Sequence, residues 1–211
     1  MTFDKPQPKK ETLTELHKKR FKGTEEYNDL YNEEVVRRIV LEGTDEEREN
    51  LRQFHKISPE RFELFLHYER LRHQTVQQCF EEAEKRKQTN PEFTDIEKQI
   101  ADNKTPNQIE GVYLEYIEPQ VRQAVITLSN KGYISFESGF GGDNRQIIGF
   151  NSEQLSNYKP SDELITWLES KKAEIKIEPN SITFSSDEKL TLDELKEIWD
   201  RIVADVPERK K

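Results

Sequence analysis

From Pro119 onward the apolar residues switch repeatedly between helical spacing and alternation, and this order restricts the fold more than any other feature of the chain. Pro119 opens a stretch in which Val121, Ala124, Val125 and Leu128 share one helical face. Asn130-Lys131-Gly132 ends it as a glycine cap would. "YISFES" then alternates, with Ile134 and Phe136 on one face, and predicts a strand. "RQIIGFN" predicts a second strand, buried on both faces at Ile147 and Ile148. Ser161 caps a helix carrying Leu164, Ile165 and Leu168. "EIKIE" and "ITFSS" form two further strands around a tight turn at Pro179-Asn180. Thr191 and Glu194 have capping-box spacing, and the helix they open buries Leu195, Ile198, Trp199 and Ile202. The order is α-β-β-α-β-β-α. Strands joined by short turns pair as hairpins, so residues 111–206 are expected to form a two-layer α+β domain. It has a mainly antiparallel sheet with helices on one face.

The first half reads as helix only. Residues 1–22 form a basic, partly disordered arm, and residues 23–104 a helical domain. Within it a helix over 25–42 ends at Gly43, and Thr44 with Glu47 forms another capping box ahead of Leu51, Phe54 and Ile57. Ser58 and Pro59 then open a long helix that runs to about residue 87, with Phe62, Phe65, Leu66, Val76, Cys79, Phe80 and Ala83 at helical spacings. Its middle, Glu69 to Gln74, is mostly polar. Such a helix is expected to protrude or to pack against another chain, giving a protein partner or self-association through residues 58–87. Thr94 and Glu97 suggest a short helix over 95–102. The loop-like stretch at 103–110 places the domain boundary near 105. No internal sequence repeat is visible.

Composition narrows the function classes. Hydrophobic residues make up 32% and charged residues 36%, so the helices of the first half must be heavily solvated. The net charge is -9, yet residues 1–22 carry seven Lys/Arg against three acidic residues. The body is therefore acidic, which argues against a broad phosphate-binding surface. Nucleic acid is an option only for the arm, where "LHKKRFKG" groups Lys18, Lys19, Arg20 and Lys22 with an aromatic. The lone cysteine, Cys79, allows no intrachain disulfide and fits a reducing cytoplasm. No apolar run of about 18 residues occurs, so no membrane span is expected. "MTFDKPQPKKE" does not read as a secretory signal.

Candidate chemistry is concentrated in "ESGFGGDNRQ". Glu137, Ser138, Gly139, Gly141, Gly142, Asp143, Asn144 and Arg145 crowd one strand end and are the candidate ligand-binding residues. Glu137 could act as a base if buried, and Arg145 could hold an anion. Phosphate loops lead into a helix N-terminus, whereas this one leads into the Ile147-Ile148 strand. A hairpin connection is therefore the first reading and a site the second. The stretch "GYISFESG" resembles the strand segment of tRNA wybutosine-synthesis methyltransferases of the third-step type, with Ser138 where cysteine is usual. The resemblance is confined to that stretch and carries no activity with it. His17, His55, His67 and His73 include two i,i+4 pairs with glutamates, Glu63-His67 and Glu69-His73, read as solvated helix pairs rather than a metal site. No catalytic residue, cofactor or metal is assigned. The sequence is read as a non-catalytic interaction or regulatory protein. An enzyme or RNA-modification factor using the 137–146 loop, and nucleic-acid binding through the arm, are the alternatives.

Overall fold

A computed structural model describes residues 33–89, 114, 117–142 and 144–209. The basic arm with Lys18, Lys19, Arg20 and Lys22, the 95–102 helix, the 103–110 linker and Asp143 lie outside the described residues. The chain divides into two compact units, Met1–Arg70 and Leu71–Lys211.

In the first unit, α1 (Glu33–Glu42) and α2 (Asp45–His55) meet the start of α3 (Pro59–Thr89). Ile39, Val40, Leu51, Phe62 and Leu66 form the core, with Phe54, Ile57 and Phe65 packed around it. Gly43 makes the α1–α2 turn because a Cβ there would stand 2.4 Å from Ile39 O. The capping box forms as its spacing predicts: Glu47 N donates to Thr44 Oγ1 at 3.2 Å, and Thr44 N donates to Glu47 Oε2 at 2.9 Å. Arg38 Nη1 also reaches Glu47 Oε1 at 2.9 Å and ties α1 to α2. The polar waist of α3 is not solvated throughout: Glu69 is buried, as are Tyr68 and Thr75 on either side of it. Composition alone suggests exposure here. Burial depends on what surrounds each turn of the helix, and that is not written in its own residues.

The second unit has the order expected. Helix α4 (Pro119–Asn130) precedes β1 (Ser135–Phe140) and β2 (Arg145–Phe150); α5 (Asp162–Ser170) precedes β3 (Ala173–Glu178) and β4 (Ser181–Ser186); α6 (Leu192–Asp205) closes it. The sheet is antiparallel with order β1-β2-β4-β3. The α-β-β unit thus occurs twice, its second strands β2 and β4 side by side in the centre and its first strands β1 and β3 at the two edges. No sequence repeat announces this, because a pattern of apolar positions can be shared without shared residues.

Helices cover the face that carries Ile148, Phe150, Ile182 and Phe184. Trp199 of α6 is fully buried there, its ring 5.0 Å from Phe184 in an edge-on arrangement. Val121, Ala124, Val125 and Leu128 of α4 and Leu195, Ile198 and Ile202 of α6 complete the core. Lys131, just after α4, donates to the carbonyls of Val203, Ala204 and Val206 at 2.7, 3.1 and 2.5 Å. A cation thereby satisfies the last carbonyls of α6 and opposes its dipole.

The phase of β1 differs from the expected one. Ile134 and Phe136 are 49% and 57% exposed, not buried. The strand begins at Ser135, and its ladder with β2 slips between Ser135 and Glu137. Such a bulge leaves Phe136 and Glu137 both outward and restores alternation only beyond them.

Asp205 joins the end of α6 to the start of α5. It accepts from Tyr158 Oη at 2.8 Å, from Ser161 N at 3.1 Å and from the Ser161 hydroxyl. Burial opposes ionisation of this carboxyl, but the bonds from Ser161 and Tyr158 outweigh it and hold its pKa below the ordinary value. A depressed folded-state pKa stabilises the native state above the unfolded value, near 3.8, and that stability fades as pH falls through the folded one. Asp205→Asn is expected to destabilise the protein at neutral pH and to match the parent at acid pH. Denaturant titration across this range checks it; a gap independent of pH would show that the charge is not what matters.

Candidate interaction surface at the sheet edges

The 137–146 hairpin is built largely of residues that hold the turn. Gly141 N donates to Arg145 O at 2.8 Å, and Arg145 N to Gly142 O at 3.1 Å. The Arg145 guanidinium folds back on Gly141 O from Nε at 3.1 Å and Nη2 at 2.6 Å, so it closes the turn. Asn144 is buried and donates from Nδ2 to Ser186 O at 2.7 Å, anchoring the hairpin to the end of β4. Gly139 and Gly142 have φ of 117° and 86°, conformations that favour glycine. Glu137 is exposed on the face opposite the helices and lies over Gly149, where a Cβ would meet its carboxylate oxygen at 2.6 Å. Ser138 is half-buried and pairs with Ile148 in the ladder. The candidate residues are therefore adjacent in sequence and close in space, but their side chains diverge: Glu137 over Gly149, Asn144 to Ser186 and Arg145 back to Gly141.

A polar cluster that sequence reasoning missed sits beside β1. Glu118, ahead of α4, accepts from Gln120 Nε2 at 2.6 Å and from Phe140 N at 3.2 Å. Gln120 Nε2 also reaches Gln146 Oε1 at 3.3 Å, and both amides are buried. Burial pushes the Glu118 carboxyl above its ordinary pKa, against the pull of these hydrogen bonds. The available signal was Glu118-Pro119 at a helix start, but only the fold brings that start to a strand edge. Nearby, Cys79 Sγ lies 3.7 Å from Ile117 O, and burial pushes its thiol up to about 11. Such a thiol is a poor nucleophile. Glu82 is paired with Arg122 at 2.7 Å.

The two sheet edges are thus treated differently. At β1 the Glu118 carboxylate takes up a strand N–H and the bulge distorts the line of pairing groups, both devices that protect an edge. At β3 no neighbour among the described residues pairs with the outer side of the strand. Thr183 Oγ1 reaches Lys176 O at 3.4 Å, which sets the Lys176 carbonyl on the β4 side. By the alternation of an antiparallel ladder, Ala173, Ile175 and Ile177 then direct their N–H and C=O groups outward.

Beside this edge runs a groove of about 330 Å³ between α5 and β3. Its floor and walls are apolar: Ile165 and Leu168 from the helix, Ala173, Ile175 and Ile177 from the strand. Ile165 is 39% exposed, and Ile175 and Ile177 are half-buried, so apolar surface is left uncovered. The alternation of "EIKIE" places both isoleucines on the helix side, and the short α5 covers them only in part. Glu169 and Glu174 also line the groove. By contrast, the concavity of about 320 Å³ between α2 and α3 mixes Arg48, Arg52 and Arg70 with Asp45, Glu49 and Glu63, which balance them. On the long α3 helix, Phe62 belongs to the core of the first unit, and Phe80 is exposed as a single large apolar residue, which by itself needs no partner.

No family model matches the chain, and no curated protein or solved structure matches it either. No helix among the described residues is long and apolar enough to cross a membrane. Among the described residues, β3 presents a sheet edge with an apolar trough alongside.

Proposed function

We propose that this chain is a non-catalytic interaction protein that captures an extended protein segment by strand addition at β3. The observation that carries the reading is the apolar groove between α5 and β3, running beside outward-facing backbone groups. An added strand would satisfy those groups, and its alternate side chains would enter the groove. The residues around the 137–146 turn support a non-catalytic reading, because Asn144 and Arg145 are engaged in closing and anchoring the hairpin.

The full-length protein panned against a library of linear peptides is expected to enrich sequences with aliphatic residues at every second position. Binding should fall at least about tenfold in Ile165→Asp, the loss of one buried aliphatic contact plus a desolvated charge. Ile165 is partly exposed, so the melting temperature should change little. Phe136→Asp, at the other edge, should bind as the parent does. Equal binding by parent and Ile165→Asp would sink the reading.

A further inference from the structure

The edge strand has a charge pattern that identifies one particular segment as its complement. Along β3 and the residue before it the sequence is Lys172-Ala173-Glu174-Ile175-Lys176-Ile177-Glu178. Glu174 and Lys176 are exposed, and they alternate with the groove-side Ala173, Ile175 and Ile177. We propose that the occupant of the β3 edge is β3 of a second copy of this chain, paired antiparallel about a two-fold axis through Ile175. This rests on the strand-addition reading and names its partner.

Registers can be compared directly. A slip by one residue would set groove-side residues of one copy against outward residues of the other, so it is excluded. An axis through Ile175 sets Glu174 opposite Lys176 of the second copy and Lys172 opposite Glu178, each twice by symmetry. Every charged pair is then of opposite sign. Ala173 meets Ile177 and Ile175 meets Ile175 on the groove side, where the bulkier chains of each copy fill the trough of the other. Ala173, Ile175 and Ile177 are also the residues whose backbone groups face outward, so the hydrogen-bonding phase agrees. An axis through Lys176 sets lysine against lysine and Glu174 against Glu178. An axis through Glu174 sets glutamate against glutamate and Lys172 against Lys176. An axis through Ile177 brings Pro179, which has no N–H, opposite Ile175. A lysine on an edge strand ordinarily discourages pairing. Here it is matched by a glutamate two residues away on each side, so that this register is favoured by charge and the two that flank it, through Glu174 and Lys176, are repelled.

Within one copy the charges are held lightly. Lys176 lies 2.5 Å from Glu178 and Lys172 pairs with Glu188, all four side chains well exposed, so these pairs can exchange partners at small cost. The result would be a continuous sheet of twice four strands.

Sedimentation equilibrium of the full-length protein over a wide concentration range tests this. The parent is expected to dimerise. Glu174→Lys and Lys176→Glu each place like charges opposite one another twice, and each should weaken dimerisation about tenfold or more. In a mixed pair, one copy carries lysine at both positions and the other glutamate at both, so opposite charges face each other on both sides of the axis. The mixture should therefore associate where neither variant does alone. Glu174→Lys/Lys176→Glu in one chain should also regain the parent's affinity. Three outcomes would overturn the proposal: a monomeric parent, single variants that dimerise like the parent, or a mixture that stays monomeric. A monomeric parent that still binds library peptides through Ile165 would sink this inference alone; a monomeric parent with no such binding would sink the strand-addition reading with it.

Discussion

Trp199→Ala is expected to lower the stability of the protein by about 3–5 kcal/mol, the range for truncating a fully buried aromatic. Trp199 has no exposed surface, and it packs edge-on against Phe184 at 5.0 Å. It joins α6 to β4, a central strand of the sheet, so the cavity would open where helix layer and sheet meet. Its Nε1 is buried and has no hydrogen-bond partner among the described residues. Trp199→Phe removes that N–H, keeps a ring against Phe184 and should cost clearly less than alanine. Urea denaturation followed by circular dichroism of parent and both variants checks this. Equal losses for phenylalanine and alanine would mean that neither the ring contact nor the filled volume sets the cost.

Gly139→Ala is expected to cost about 2–3 kcal/mol, well beyond an ordinary substitution in a turn. Two effects add. Gly139 has φ 117°, which strains any L side chain, and its Cβ would stand 2.5 Å from the Glu118 carboxyl carbon and Oε2. That carboxylate cannot simply swing away, because it is held by Phe140 N and Gln120 Nε2. Gly142 has φ 86° but open space around it, so Gly142→Ala should show backbone strain alone, about 1 kcal/mol. Gly141 lies in neither class: its Cβ would meet Arg145 Nε at 3.1 Å and Ile147 Cγ2 at 3.2 Å, a tight fit rather than a collision. The contrast between 139 and 142 is the informative measurement. Removing the obstacle with Glu118→Ala should make Gly139→Ala less costly than in the parent, a non-additivity readable in a double-mutant cycle. Equal costs at 139 and 142 would show that the glycines serve only the turn.

Much of the local structure was legible in the chain. Thr44 with Glu47, Ser161, and Thr191 with Glu194 cap helices where their spacing predicts, because a cap is a bond between residues a few positions apart. Pro179-Asn180 turns β3 into β4, and Ala124, Leu128, Ile198 and Trp199 are buried as their helical spacing requires. The candidate loop was legible as a hairpin but not in its detail: Arg145 turns inward to Gly141 O rather than out toward an anion, since the turn leaves that carbonyl within reach.

What the sequence alone determined, then, is the identity and order of the elements in the α-β-β-α-β-β-α half, set by interactions within a turn or a hairpin. The tertiary structure decided the rest. The bulge between Ser135 and Glu137 shifted β1 by a single residue and exposed Phe136, because strand phase depends on pairing with β2 and not on the strand's own alternation. Strand order put β3 at an edge and β4 at the centre, although both read as short apolar-alternating strands. Glu118 became a half-buried group at the β1 edge only because α4 begins there. The alternation Lys172-Glu174-Lys176-Glu178 is visible in the sequence, yet it reads as an ordinary solvated face until the fold sets that strand at an edge of the sheet.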